Sequence, residues 1–467
     1  LENALFWAFI IVFVYLIGLP ALDNFFIHDD PNLIWDTKVI FDKPLKLLKT
    51  YNMFFRPAVR LTLYPFAQAF GNNPAPYYHL NLWVHIINVI LVYTILGAFR
   101  IGVPGRFLGT TAFGLNIIYL EVYRFISNFN ELSFAFFFLL AVYLYVRSDK
   151  TRHFAAFAFL LTAFSKETGI VLPFVLLAYE ILIRRGPWHD SIRRFAPVAV
   201  AWVIYVLIFV LRCIVIGRFI HTNYNLGLHG LYNLALNLIF VITTPLYNIA
   251  LTITSGPGKY VIFSGGLILI AVFLIFYAVK KRKDLKYSAG PIFFGLAWTI
   301  VTLLPAGFWQ GFGTGAGRYF YIPYVGVAII FATVINILLP SISKRGKVGV
   351  AVGLIGFGVL VATLSYRAGL YEKASSVYER WYDTVRTAGP ESTDYIILSG
   401  SGRRLSSVNI LHGSHDVFLY KIMFPHAAAA YLNIENRSEA REFAASHKPS
   451  VLIYWSDNKP VSVDRYE

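Results

Sequence analysis

Apolar runs of membrane length alternate with short polar connections along most of this chain. The runs fall near 4–22, 79–99, 107–122, 131–147, 154–166, 168–184, 196–217, 260–279, 288–305, 319–340 and 348–369. An upright helix needs roughly 20 apolar residues to cross a bilayer. The pattern therefore predicts eleven spans, several with short ends. Three segments break it. The first, about 23–78, carries apolar pieces such as 58–70 and reads as helices lying on the membrane surface. The second, about 218–259, contains the apolar piece 232–253, read as interfacial or re-entrant. The third is the tail, about 370–467. It opens on a helical pattern, Tyr371 to Val385, and continues in strand-like runs at Tyr395–Leu398, Val417–Ile422 and Val451–Tyr454. The expected fold is an all-α polytopic membrane protein over 1–369, followed by a small soluble α/β domain over 370–467.

Composition agrees with that class. The chain is 57% hydrophobic and 17% aromatic, with mean hydropathy +0.59. A soluble chain of 467 residues has no need of so much apolar surface. The single cysteine, Cys213, rules out a disulfide within the chain. The run at 4–22 lacks a basic leader and a small-residue cleavage site, so it reads as a membrane helix rather than a signal. A net charge of +16 would suggest nucleic acid in a soluble protein. Here the basic residues crowd into short connections: Arg100 and Arg106; Arg147, Lys150 and Arg152; Arg184, Arg185, Arg193 and Arg194; Lys280 to Lys286; Lys344, Arg345 and Lys347. The positive-inside rule accounts for them without nucleic acid. It places the N-terminus in the cytoplasm of an inner or plasma membrane, and the first loop and the tail outside. The inner ends read as basic, without matching carboxylates deep in the spans.

Polar groups gather at the opposite, outer ends. Asp29 and Asp30 follow the first span within Phe25 to Asn32, and ionisable groups at a membrane boundary are functional candidates. Glu121 closes the third span, and Asn128, Asn130 and Glu131 open the fourth. Lys166 and Glu167 sit where the fifth span turns into the sixth. Arg56 and Arg60 lie in the first outer loop, and Arg318 opens the tenth span. His79, Asn81 and His85 share a face of the second span. Taken singly, each has an ordinary role as an anchor, a snorkelling cation or a helix-to-helix bond. Acids and bases together at one end fit a site that handles a phosphate and a hydroxyl.

The stretch Phe54 to Tyr93 resembles the region after the first outer loop of GT-C type integral membrane glycosyltransferases. The likeness is to the TPR-bearing transmembrane O-mannosyltransferases and their bacterial relatives. Arg56-Pro57, Gly71, Pro74, Tyr78-His79, Asn81, His85 and Asn88 carry it. Asp29-Asp30, Ser165-Lys166-Glu167 with Pro173, and Arg318 to Pro323 match further motifs of the group. The chain departs from the pattern at Asn116 to Glu121, where both family histidines are missing and the Glu remains. It departs again at Gly317, which replaces a Glu, and it lacks a TPR array.

The resemblance implies transfer of a sugar from a polyprenyl-phosphate carrier to a hydroxyl on the outer face, with inversion. Membrane lipids surround the enzyme, and the acceptor is a protein, lipid or glycan. It implies Asp29 or Asp30 as general base, Asp29 preferred, with Glu121 orienting the acceptor. Arg56 is the implied phosphate clamp, with Lys166 and Arg318 as second candidates. His79, Asn128, Asn130, Glu131, Glu167 and Tyr321 are implied contacts to acceptor or sugar. No cofactor is fixed, although Asp29, Asp30 and Glu121 could converge on a divalent cation. Three rivals are an O-antigen-type polymerase or ligase using lipid-linked glycans, a secondary transporter, and a membrane-anchored binding protein. No internal repeat of the transporter kind is visible. The acidic first loop speaks against the polymerase. A protein working only through its tail leaves the polar outer ends unexplained.

Overall fold

A computed structural model describes residues 2–27, 29–42, 54–116, 120–217, 227–253, 289–308, 317–342, 364, 369, 371–389, 395–399, 423, 430–433, 437–456 and 459–466. The expected spans at 260–279 and, for the most part, 348–369, the strand Val417–Ile422 and the basic runs 280–286 and 344–347 lie outside the described residues.

The chain is mostly helical. In order, the helices are α1 (Glu2–Gly18), α2 (Asp30–Asp42), α3 (Pro57–Phe70), α4 (Ala75–Ala98), α5 (Val103–Gly114), α6 (Phe129–Arg147), α7 (Arg152–Ser165), α8 (Leu172–Tyr179), α9 (Trp188–Ile216), α10 (His229–Ile253), α11 (Ala289–Gly307) and α12 (Pro323–Ile342). Among the described residues, four helices are long and apolar enough to cross a membrane: Ala75–Ala98, Ile126–Arg147, Trp188–Val215 and Ala289–Gly307. Trp7–Ala21, His229–Val241 and Pro323–Ile337 are shorter apolar helices.

Several expected spans are broken, and the breaks position polar groups. The third ends at Gly114, and the chain resumes as the single turn Glu121–Arg124. Gly114 lies against Val89, where an added Cβ would come within 3.0 Å. The fifth and sixth are split by a tight turn, Glu167–Val171, and α8 runs into the wider turn Glu180–Arg184. The piece 232–253 belongs to one unbroken helix, α10, laid beside α11. The Gly230 carbonyl lies 3.1 Å from a Cβ placed on Gly307.

Close helix contact depends on small residues. An added Cβ on Gly295 of α11 would come 2.6 Å from the Gly326 carbonyl of α12. Such pairs let helix backbones meet in a bilayer. Trp298, fully buried, locks the same crossing by donating to the Ile322 carbonyl at 2.9 Å. One face of α9 stays bare, with Val200, Leu207, Leu211 and Ile214 all exposed, as a lipid-facing surface requires.

The tail forms a four-stranded sheet in the order β2-β1-β3-β4, from β1 (Tyr395–Ser399), β2 (Ala430–Asn433), β3 (Ser450–Ser456) and β4 (Lys459–Tyr466). β1 pairs parallel with β2 and β3, and β4 closes the sheet antiparallel to β3. Residues 371–388 form a helix that packs on the acidic first loop. Ser375 Oγ accepts from the Phe25 N–H at 2.6 Å, and the Tyr382 and Phe25 rings lie 5.6 Å apart. Tyr371 meets Phe125 edge-on at 5.3 Å. The tail helix and the acidic loop therefore occupy one end of the bundle.

Candidate functional site

The return of α7 against α6 builds the site. α6 starts at Phe129, α7 runs back beside it, and Lys166 ends up against Glu131. Lys166 pairs with Glu131 in a short contact, and both side chains are more than nine-tenths buried. The Lys166 ammonium also lies 4.6 Å from the centre of the Tyr319 ring. Arg318 enters from the turn before α12. Its backbone N–H donates to Glu121 Oε1 at 2.7 Å, and its Nη1 donates to Asn128 Oδ1 at 3.4 Å. Asn128 in turn donates to the Glu121 carbonyl at 2.9 Å. A small, narrow cleft lies between these elements, lined by Glu131, Lys166, Thr168, Thr302, Arg318 and Tyr319, among others.

Burial works against the Arg318 charge. The carboxylates of Glu121, Glu131 and Asp29, with the Tyr319 hydroxyl, outweigh it and hold the guanidinium above its ordinary value. Asp29 contributes the least of the three carboxylates. It is half-buried, while its neighbour is sealed. Arg318 makes no ion pair with a carboxylate of the described residues, so its planar fork can still meet an anion.

Asp30 has a different part. It is fully buried. Oδ2 accepts from the Ile27 N–H at 3.0 Å and the Tyr78 hydroxyl at 3.4 Å, and Oδ1 accepts from the Ser127 N–H at 2.7 Å. Burial pushes its carboxyl up to about 7, against these N–H groups, which favour the charged form. Asp30 thus fastens the acidic loop to the turn that carries Asn128. The suggested metal set also fails. Among the described residues no three His, Cys, Asp or Glu side chains gather for an ion. Asp30 is committed to backbone N–H groups and one Glu121 oxygen to Arg318. The three carboxylates do not form the oxygen cage a divalent cation needs.

Arg56, the expected phosphate clamp, has its fork filled. Nε and Nη2 donate to the two oxygens of Glu167 at 3.3 and 3.1 Å. Burial lowers its affinity for the proton, but the Glu167 and Glu131 carboxylates more than restore it. Arg56 and Glu167 thus join the loop before α3 to the turn after α7. A double-mutant cycle with Arg56→Ala and Glu167→Ala should show thermal-stability coupling of about 0.5–3 kcal/mol. Additive effects on stability, with donor affinity lost on Arg56→Ala alone, would return Arg56 to the substrate.

Tyr321 is also displaced from its expected place. It is buried, with its hydroxyl 2.7 Å from His85 Nδ1 and 3.4 Å from Asn88 Nδ2. The tight turn Gly317–Phe320 presents Tyr319 to the cleft instead. His85 is a core group, bonded to Tyr321 and to the Gly114 carbonyl and stacked on Tyr123. Asn81 donates to the Phe125 carbonyl at 2.6 Å. Asn130 donates to the Ser127 carbonyl at 2.8 Å and so braces the turn. His79 is half-buried on α4 and makes no hydrogen bond among the described residues. Arg60 pairs with Asp36 at 3.3 Å, away from the cleft, and burial brings it down to about 10.

Sequence reasoning missed Tyr319, Thr168 and Thr302 in the cleft, and Ser127 and Arg124 behind it. Arg124 is fully buried and donates to the Ile17 carbonyl at 2.7 Å, tying the end of α1 to the turn Glu121–Arg124. Only Tyr319 left a signal, as the residue next to Arg318.

No protein-family model and no curated protein matches the chain. Among solved structures, the Archaeoglobus fulgidus oligosaccharyltransferase in complex with Zn and sulfate aligns with a TM-score of 0.48 at 11% identity, over 95% of this chain and 67% of that one. A structure of the same oligosaccharyltransferase, tethered to an acceptor peptide containing the NVT sequon, gives 0.44 at 12% identity, over 93% and 64%. Likeness at this level identifies neither a family nor a reaction.

Proposed function

We propose that this protein is a membrane-embedded glycosyltransferase of the GT-C kind. It takes a sugar from a polyprenyl-phosphate carrier and passes it to an acceptor hydroxyl at the outer end of the bundle. In this reading residues 1–369 are the catalytic membrane domain, and 370–467 are an extracytoplasmic α/β domain. One observation carries the proposal: Arg318, which makes no ion pair among the described residues, borders a cleft that also holds the buried Lys166, and the half-buried Asp29 is among the carboxylates whose charge acts on it.

The chemistry follows from that arrangement. The acceptor hydroxyl attacks the anomeric carbon as the bond to the phosphate oxygen breaks. Asp29 takes the hydroxyl proton as the new bond forms. The charge growing on the leaving phosphate meets Arg318, already oriented by Asn128 and Glu121, so little reorganisation is needed. Lys166 supplies a second positive charge, held in place by Glu131. Tyr319, between the two cations, gives the sugar a flat face to rest on. A single displacement inverts the anomeric configuration.

The test is a panel of polyprenyl-phosphate and polyprenyl-diphosphate sugars incubated with purified protein in lipid. The expected result is release of the free carrier, polyprenyl phosphate or diphosphate according to the donor, from at least one donor, with the opposite anomeric configuration in the product. Absence of carrier release from every donor, with a folded protein and a mixed pool of protein, lipid and glycan acceptors, would overturn the proposal.

A further inference from the structure

The other end of the bundle carries a separate arrangement. α6 leads away from Glu131 to Arg147, and α8 leads away from Glu167 to Glu180. There a buried carboxylate ties three connections together. Glu180, 2% exposed, accepts from Ser191 Oγ at 2.8 Å, Arg184 Nη1 at 3.0 Å and Arg194 Nε at 3.2 Å. Arg194 also pairs closely with Asp149, which lies 3.6 Å from Arg152. The expectation of basic ends without matching carboxylates is thereby corrected: Glu180 and Asp149 pair with Arg184, Arg194 and Arg152.

What this hub leaves over is informative. Arg185 and Arg193 are both exposed and make no ion pair among the described residues. Arg185 is held in the left-handed region, φ 53°, by its N–H bond to the Glu180 carbonyl at 2.9 Å. Its Nε donates to the Leu182 carbonyl at 3.2 Å. Only Gly186 and Pro187 separate it from Trp188, which is 64% exposed. Trp188 and Ile192 sit one helical turn apart, and Ile192 is 52% exposed. The bare apolar face of α9 runs on from them through Val200, Leu207 and Leu211. Asp190, three positions before Arg193, is half-buried and lies 3.3 Å from His189.

An apolar helix face that ends in an exposed Trp marks the level where acyl chains meet headgroups. Two unneutralised guanidinium groups at that level suit a phosphate, which Arg can grip through two oxygens. We propose that Arg185 and Arg193, with Trp188 between them on the acyl boundary, bind the headgroup of an anionic phospholipid. The buried Glu180 hub acts as the rigid base, because it fixes the angle between the Arg185 connection and the start of α9.

The test is lipid retention by native mass spectrometry, on the full chain titrated with phosphatidylglycerol or phosphatidylcholine. The wild type should hold phosphatidylglycerol selectively. Arg185→Gln or Arg193→Gln should each weaken it about 5-fold, and the pair about 30-fold, as expected from about 1 kcal/mol per basic residue. Lys150→Gln, another exposed cation at the same end, should leave it unchanged. Equal retention by the double variant overturns the site. Equal weakening by Lys150→Gln also overturns it, since the attraction is then diffuse. Sugar transfer plays no part in the readout.

Discussion

Asp29→Asn should leave the protein folded and lower turnover by about 10²–10⁴-fold, the usual loss when a positioned general base is removed. Asp29 is the carboxylate that is half-buried and acts on Arg318. Asp30→Asn should behave in the opposite way. Its new amide keeps one oxygen but places its NH₂ against the N–H of either Ile27 or Ser127, and a buried donor left without an acceptor costs about 1–3 kcal/mol. The thermal midpoint should drop, and turnover per folded molecule should fall less than in Asp29→Asn. Turnover and thermal unfolding measured on the same preparations separate the two. Wild-type turnover in Asp29→Asn would remove Asp29 from the chemistry. A larger turnover loss in Asp30→Asn than in Asp29→Asn would exchange their roles.

Arg318→Ala should lower kcat/KM by about 10²–10³-fold, the size of losing one donor to a developing charge. The backbone N–H of residue 318 still reaches Glu121, so the turn should survive and stability should change little. Arg318→Lys keeps the charge but loses the planar fork and the bond to Asn128, so it should recover only part of the rate. A fall in kcat with steady KM would mean Arg318 meets charge only in the transition state; a rise in KM alone would mean ground-state binding. Either outcome keeps it on the donor, whereas unchanged kinetics in Arg318→Ala would remove it. Lys166 is the less clean probe. Truncating it strands Glu131 in a buried setting, and breaking such a pair costs about 3–5 kcal/mol on its own.

Much of the fold was legible because lipid imposes a simple rule on sequence. Long apolar runs such as 79–99 and 196–217 must satisfy their backbone within a helix. The same rule fails at breaks. Nothing in the apolar run 107–122 announces that the helix stops at Gly114. Lys166 and Glu131 could both be nominated, since a lysine and a glutamate at span ends stand out. Their pairing across 35 positions could not be read, nor could that of Arg56 with Glu167 across 111. Both are set by how α7 returns beside α6. The Asp29–Asp30 pair shows the same limit. Adjacent residues of one type look equivalent in sequence, yet the start of α2 turns one inward to Ser127 and leaves the other half-exposed. Tyr319 and Tyr321 differ for the same kind of reason, the tight turn at 317–320.

The most direct measurement places the reaction in the cleft. It follows release of free polyprenyl phosphate, from a donor accepted by the wild type, in lipid vesicles holding wild type, Asp29→Asn, Arg318→Ala or Lys150→Gln. The account predicts full release by wild type and Lys150→Gln, with release cut by at least about 10²-fold in the other two. Undiminished release by Asp29→Asn and Arg318→Ala, each folded as the wild type, would contradict it.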